Sequence, residues 1–302
     1  SALVFHSINA YPSLKKTGIT REGYAFIEWN TNADGSGTSY DPSENLVVNR
    51  NVVLYAQWLK NNTGEVIDME NHYAYIVGYP DGNVGPEDNI TRGEVASIFF
   101  RLLRNEYRIE SWSTTNSFTD VESTNWYNNA ISTLSNVSIL KGYPDGRFNP
   151  EGNVTRAELA AIAARFAGTV PSGSDTGFSD TDGHWAFDEI EISAVLGYVE
   201  GYPDGSFRPD QAITRAEVMT LINNVLNRHV EHKDDLLSNM VTWPDNQQGR
   251  WYYFAVQEAT NSHDYTRKAD DRNEIWTHLI QAPNWTVLEH PGADPNDLTF
   301  YN

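Results

Sequence analysis

Apolar residues recur at helical spacing in two stretches of the chain, Val95, Ile98, Phe99, Leu102 and Leu103, and again Val218, Leu221, Ile222, Val225 and Leu226. Each set makes one stripe along a helix. Just upstream stand Ile90-Thr91-Arg92-Gly93-Glu94 and Ile213-Thr214-Arg215-Ala216-Glu217, and a third text of this kind, Val154-Thr155-Arg156-Ala157-Glu158, lies between them. A Thr followed three residues later by Glu is a capping box, in which hydroxyl and carboxylate satisfy backbone N–H groups at a helix start. A helix is therefore expected from each of the three. Residues 127–137 and 186–196, which follow Trp126 and Trp185, read as two more helices.

The first 60 residues are patterned differently. Residues 23–29 and 52–58 mix aromatics with β-branched residues as strands do, and the turn-rich stretch 30–41, with Ala33-Asp34-Gly35-Ser36-Gly37, separates them. Asn61-Asn62-Thr63-Gly64 reads as a linker, and residues 266–302, rich in Pro, Asn and Asp towards their end, are expected to finish loosely.

A short motif recurs between the helices. Gly78-Tyr79-Pro80-Asp81-Gly82 returns as Gly142-Tyr143-Pro144-Asp145-Gly146 and as Gly201-Tyr202-Pro203-Asp204-Gly205, and fourteen residues after the first Gly of each comes Arg92, Arg156 or Arg215. A constant spacing of this kind marks a repeated structural unit. Phe118-Thr119-Asp120 with Trp126, and Phe178-Ser179-Asp180 with Trp185, precede the second and third motifs. The first copy lacks this half. It reappears at the other end as Trp243-Pro244-Asp245 with Trp251, so the C-terminal half-repeat is expected to pack beside the first copy and close the set.

Composition narrows the functions. At 39% hydrophobic and 21% charged residues the chain is globular rather than disordered. It has no cysteine, which excludes disulfides and thiolate chemistry. No run of residues approaches a membrane span. A formal charge of −20 repels phosphate backbones and anionic lipids, so nucleic acid is not an expected partner. Strand-like text already under way at Ser1 suggests a fragment of something larger.

The ordered series of Phe-x-Asp, Trp, Gly-Tyr-Pro-Asp-Gly and Thr-Arg-Ala-Glu over residues 65–265 resembles the S-layer-homology family, with Gly93 in place of the usual Ala in the first copy. Residues 11–58 look like the small β-repeat of Listeria and Bacteroides surface proteins, although Glu28 stands where that repeat usually has Gly. These resemblances imply a mainly α fold: three helix-pair repeats (65–110, 116–170 and 176–230, closed by 241–265) in a pseudo-threefold domain, after a β-grasp-like spacer at 1–60. They also imply a noncatalytic anchor, held in the bacterial cell wall or S-layer by an anionic polysaccharide whose terminal N-acetylmannosamine carries a pyruvate ketal. No cofactor is implied.

The candidate chemistry leaves alternatives open. Arg92, Arg156 and Arg215 fall at first helical positions, where a guanidinium beside unpaired helix N–H groups would bind a carboxylate. The alternative to that favoured reading is that each clamps a neighbouring copy's acid, such as Asp120, Asp180 or Asp245. Trp126, Trp185 and Trp251 either stack on a sugar or anchor a core. Gly78, Gly142 and Gly201 would let a sugar approach the backbone. Glu94, Glu158 and Glu217 read as capping residues. No catalytic set stands out: His72, His184 and His263 are isolated in sequence, and His229 with His232 reads as a solvated stretch, so no metal ligand is assigned. A glycan hydrolase and a calcium-stabilised repeat remain as alternatives.

Overall fold

A computed structural model describes residues 2–5, 21, 23–40, 46–47, 51–167 and 177–299. The chain divides into two compact units, residues 1–64 with 167–174, and residues 65–166 with 175–302.

The first unit is an antiparallel sheet of β1 (Ala2–Phe5), β2 (Tyr24–Asn30), β3 (Ser39–Tyr40) and β4 (Val52–Lys60) in the order β1-β4-β2-β3. Trp29 and Leu54 are buried in its core with Phe26 and Leu46, and Phe26 meets the Trp29 ring edge-on at 5.2 Å. The register shifts between Phe26 and Trp29, so the strand carries a bulge where these rings turn inward. The β-grasp-like reading depends in part on residues 6–20, which lie outside the described residues. The expected linker runs into a four-residue helix, α1 (Thr63–Val66).

In the second unit, α2 (Arg92–Leu102), α5 (Arg156–Ala167) and α7 (Arg215–Leu226) start at the three capping boxes. Between them come α3 (Asn105–Ser111), α4 (Asn128–Asn136) and α6 (Phe187–Val195), and α8 (Tyr253–Thr260) follows Trp251 as α4 follows Trp126. Two strands, β5 (His263–Arg267) and β6 (Glu274–Leu279), form a hairpin ahead of α9 (Trp285–Glu289). Among the described residues no helix is long and apolar enough to cross a membrane.

The expectation of a mainly α chain is overturned, because only 31% of the structure is helical and strands account for 16%, in two small sheets. The physical reason lies in the loops. Their carbonyls satisfy the starts of the next copy's helices, which needs extended backbone rather than longer helices. Ile90 N–H donates to Ile213 O, Ile213 N–H to Val154 O and Val154 N–H to Ile90 O, so the residues before α2, α5 and α7 bond in a closed ring of three.

The C-terminal half-repeat completes the first copy. Trp243 lies against Gly78 where Phe118 and Phe178 lie against Gly142 and Gly201. The Tyr75 and Ile76 amides both donate to Ala259 O. The earlier part of the tail is packed: Trp276 and Trp285 are buried, and Trp285 Nε1 donates to Ala74 O at 2.8 Å. Their hydrophobic area has a core to enter, which the polar composition of the segment hides.

Candidate functional site

The three arginines occupy one environment three times. Arg92 donates from Nε to Phe148 O and from Nη2 to Lys141 O, and its Nη1 meets Glu158 Oε1 at 2.6 Å. Arg215 repeats this with Val84 O, Val77 O and, at 2.7 Å, Glu94. Arg156 holds Phe207 O and Glu200 O but stands 3.7 Å from Glu217. Each guanidinium also lies over the tyrosine of the motif it reaches, 4.8 Å from Tyr143 for Arg92, 4.8 Å from Tyr202 for Arg156 and 4.6 Å from Tyr79 for Arg215.

The clamp therefore exists, but its acid is the capping-box glutamate of the neighbouring copy. Glu158 accepts from Thr155 N–H with one oxygen and from Arg92 and the Tyr143 hydroxyl with the other. Burial, and then the hydrogen bond to Glu158, raise the Tyr143 phenol above its ordinary value, which keeps it a donor. Asp120, Asp180 and Asp245 do other work: they accept the backbone N–H groups of Phe148 and Asn149, of Phe207 and Arg208, and of Val84 and Gly85. They hold the loop that follows each Tyr-Pro-Asp-Gly turn.

The helix starts are closed to ligands. Arg92 and Gly93 N–H donate to Gly152 O and Pro150 O, and Glu94 N–H donates to the Thr91 hydroxyl. In α5 and α7 the first two amides likewise find Gln211 and Pro209, and Asp88 and Pro86. The unpaired amides on which the sequence reading placed a carboxylate are thus satisfied by the neighbouring copy. The glycines are equally committed. A Cβ on Gly142 would strike the Phe118 ring, and one on Gly201 the Phe178 ring, so the missing side chain admits an aromatic ring of the fold.

Three grooves open beside these arginines, each built from three copies. The largest, about 710 Å³, brings together Arg92, Tyr143, Glu158 and Trp185. The second, about 400 Å³, has Arg156, Tyr202, Glu217 and Trp251, and the third, about 280 Å³, has Arg215, Tyr79, Glu94 and Trp126. All three tryptophans are exposed, Trp126 by 47%, Trp185 by 60% and Trp251 by 66%, and each follows a loop with its ring against solvent. Three large exposed aromatics thus recur at one repeated position.

The grooves differ in where their charges lie. Before the motif glycine stand Lys141 in the Arg92 groove, Glu200 in the Arg156 groove and Val77 in the Arg215 groove. Nine residues into each helix lie Arg101, Arg165 and Asn224. Arg101 is held by both oxygens of Glu289. Arg165, in the Arg92 groove, donates to Ile139 O and leaves its buried Nε without a partner, and burial holds it below the ordinary guanidinium value. The sequence reading missed the tyrosines, Lys141 and Arg165, although the tyrosines lie inside the repeated motif itself. It also took His72 and His263 as isolated. The fold brings their rings together, 3.3 Å between His72 Nδ1 and His263 Nε2, because the segment before the first motif runs beside β5.

The S-layer homology domain family matches residues 68–96, 117–160 and 177–219, and the Listeria-Bacteroides repeat domain matches residues 9–57. Cell surface glycoprotein 1 of Acetivibrio thermocellus is 35% identical over 221 residues, 70% of this chain and 9% of that protein. The cellulosome-anchoring protein of the same organism is 35% identical over 208 residues, covering 67% of this chain and 45% of that protein. An amylopullulanase of Thermoanaerobacterium thermosulfurigenes is 31% identical over 176 residues, 54% of this chain and 9% of that protein. The chain spans less than half the length of each of these relatives.

Proposed function

Because this chain carries three S-layer homology repeats and a Listeria-Bacteroides repeat, we propose that it anchors its parent protein by seating pyruvate-ketal carboxylates of a wall polysaccharide in the three grooves. It is an extracellular module of the cell wall or S-layer that anchors a surface protein. The observation that carries the ligand reading is the threefold return of one groove: a held guanidinium, a tyrosine, a glutamate and an exposed tryptophan. A guanidinium has five N–H groups, and Arg92 spends three on the fold. Its other two N–H groups are available to a carboxylate, while Trp185 offers its ring to the apolar face of a sugar.

The Arg92 groove is the strongest of the three. It is the largest, lies within the usual range for small-ligand sites, and places Lys141 and Arg165 beside Arg92, with Glu158, Glu189 and Asp210 also in its lining. The Arg156 groove answers with Glu200 at the position of Lys141. Lys141→Ala should therefore weaken binding of pyruvylated N-acetylmannosamine more than Val77→Ala does.

The module is read as noncatalytic. A glycosidase needs two carboxylates in different environments, whereas the one glutamate repeated in all three grooves is committed to an arginine and a tyrosine. Retention of the chain on isolated cell walls, with elution by pyruvylated N-acetylmannosamine and not by the unmodified sugar, tests the anchor. Release of new reducing ends from the same walls would favour a hydrolase.

A further inference from the structure

We propose that His72, Glu258, His263 and Glu274 form a buried site for one divalent transition ion, zinc foremost, which locks the C-terminal hairpin onto the segment before the first repeat. Each residue offers one ligand atom, all four side chains are buried, and the ligand atoms lie within 4.8 Å of one another.

The spacing matches that of a tetrahedral metal site. Four donors around zinc at ~2.0–2.1 Å stand about 3.3 Å apart along the edges of a tetrahedron. His72 Nδ1 is 3.3 Å from His263 Nε2 and 3.2 Å from Glu274 Oε1. His263 Nε2 is 3.3 Å from Glu274 Oε1 and 3.4 Å from Glu258 Oε2. Four of the six edges thus already have tetrahedral length. Two imidazoles with two carboxylates make a donor set suited to zinc rather than to calcium, which takes six or more oxygens.

The surroundings orient these atoms inward. His263 Nδ1 lies 2.9 Å from the Asn261 carbonyl, which accepts its proton and so leaves the Nε2 lone pair facing the cluster. Trp276 Nε1 donates to Glu258 Oε1, while Glu258 Oε2, on the inner side, accepts no hydrogen bond. Arg267 stands 3.1 Å from the outer oxygen of Glu274. Arg228 is turned to the carbonyls of Asn71 and Tyr73. His72 is stacked on Tyr265 and His263 on Trp276, which fixes both rings. Two carboxylates and an imidazole lone pair thus converge on one buried point.

The ligands come from three places: His72 before the first motif, Glu258 on α8, and His263 and Glu274 on the hairpin. An ion there joins residues 191 apart, and such a site contributes binding free energy to folding. It is enclosed, so its role is structural.

The experiment uses the untagged full chain, stripped with a chelator, dialysed and reloaded with zinc, calcium or cobalt. The proposal predicts one equivalent of zinc retained through gel filtration and the visible absorption of four-coordinate cobalt. It also predicts a rise in melting temperature of about 5 °C or more with zinc and none with calcium. Glu258→Gln, nearly isosteric, should abolish the zinc-dependent rise. Absence of retained zinc and of the cobalt spectrum in the unaltered chain would overturn the proposal, as would a zinc-dependent rise that persists in Glu258→Gln. The first of these readouts requires no variant to fold.

Discussion

Arg215 Nη1 lies 2.7 Å from Glu94 Oε1, across 121 residues of sequence, and both side chains are largely out of solvent. The pair closes the ring of contacts that Arg92 with Glu158 and Arg156 with Glu217 begin. One glutamate thus caps its own helix, holds a tyrosine and neutralises the arginine of another copy.

Removing the arginine leaves that glutamate buried beside a helix start with its main cation gone. Arg92→Ala and Arg215→Ala should each cost about 3 kcal/mol in denaturant unfolding, the scale for breaking a buried pair from one side. Arg156→Ala should cost less, because its partner stands at 3.7 Å and the arginine itself is less buried than Arg92 or Arg215. Equal losses at all three positions would count against this ordering.

The ring explains which parts of the molecule were legible in the sequence. Thr91, Thr155 and Thr214 announce their helices because a capping box is a local signal. The three motifs announce the repeat, and Trp243 with Asp245 announces the missing half. The Arg92–Glu158 contact has no local spacing to betray it, since the two residues come from different copies and the glutamate already had a role as a cap. Exposure of Trp185 was equally hidden, because tryptophan is more often buried. The cluster of His72, Glu258, His263 and Glu274 occurs once, so no period pointed to it, and only the path of the hairpin assembles it.

Trp185 separates binding from stability. Its ring is 60% exposed, so Trp185→Ala should leave the unfolding free energy within about 0.5 kcal/mol of the unaltered chain. Affinity for the pyruvylated ligand should fall about fivefold or more, the scale of one lost aromatic contact. A large loss of stability with intact affinity would assign the ring to packing instead.

Gly142 makes the opposite test. A Cβ there meets the Phe118 ring and the Arg147 carbonyl, so Gly142→Ala should destabilise the chain by about 1–3 kcal/mol. Circular dichroism melts of this variant should show the loss with or without ligand.

Truncation after Asn239 removes Trp243 from Gly78, Asp245 from the Val84 and Gly85 amides, and Ala259 O from Tyr75 and Ile76. The first copy then lacks half of its packing, and the repeat unit should lose its single cooperative melting transition. An unchanged melting curve would show that the closing half-repeat is dispensable.

Recognition of an anionic ketal by the grooves is read out by titration calorimetry with purified wall polysaccharide. The full chain should bind the pyruvylated polymer, lose that binding when the ketal is removed by mild acid, and lose most of it in Lys141→Ala. Equal affinity for the pyruvylated and the stripped polymer would contradict the account.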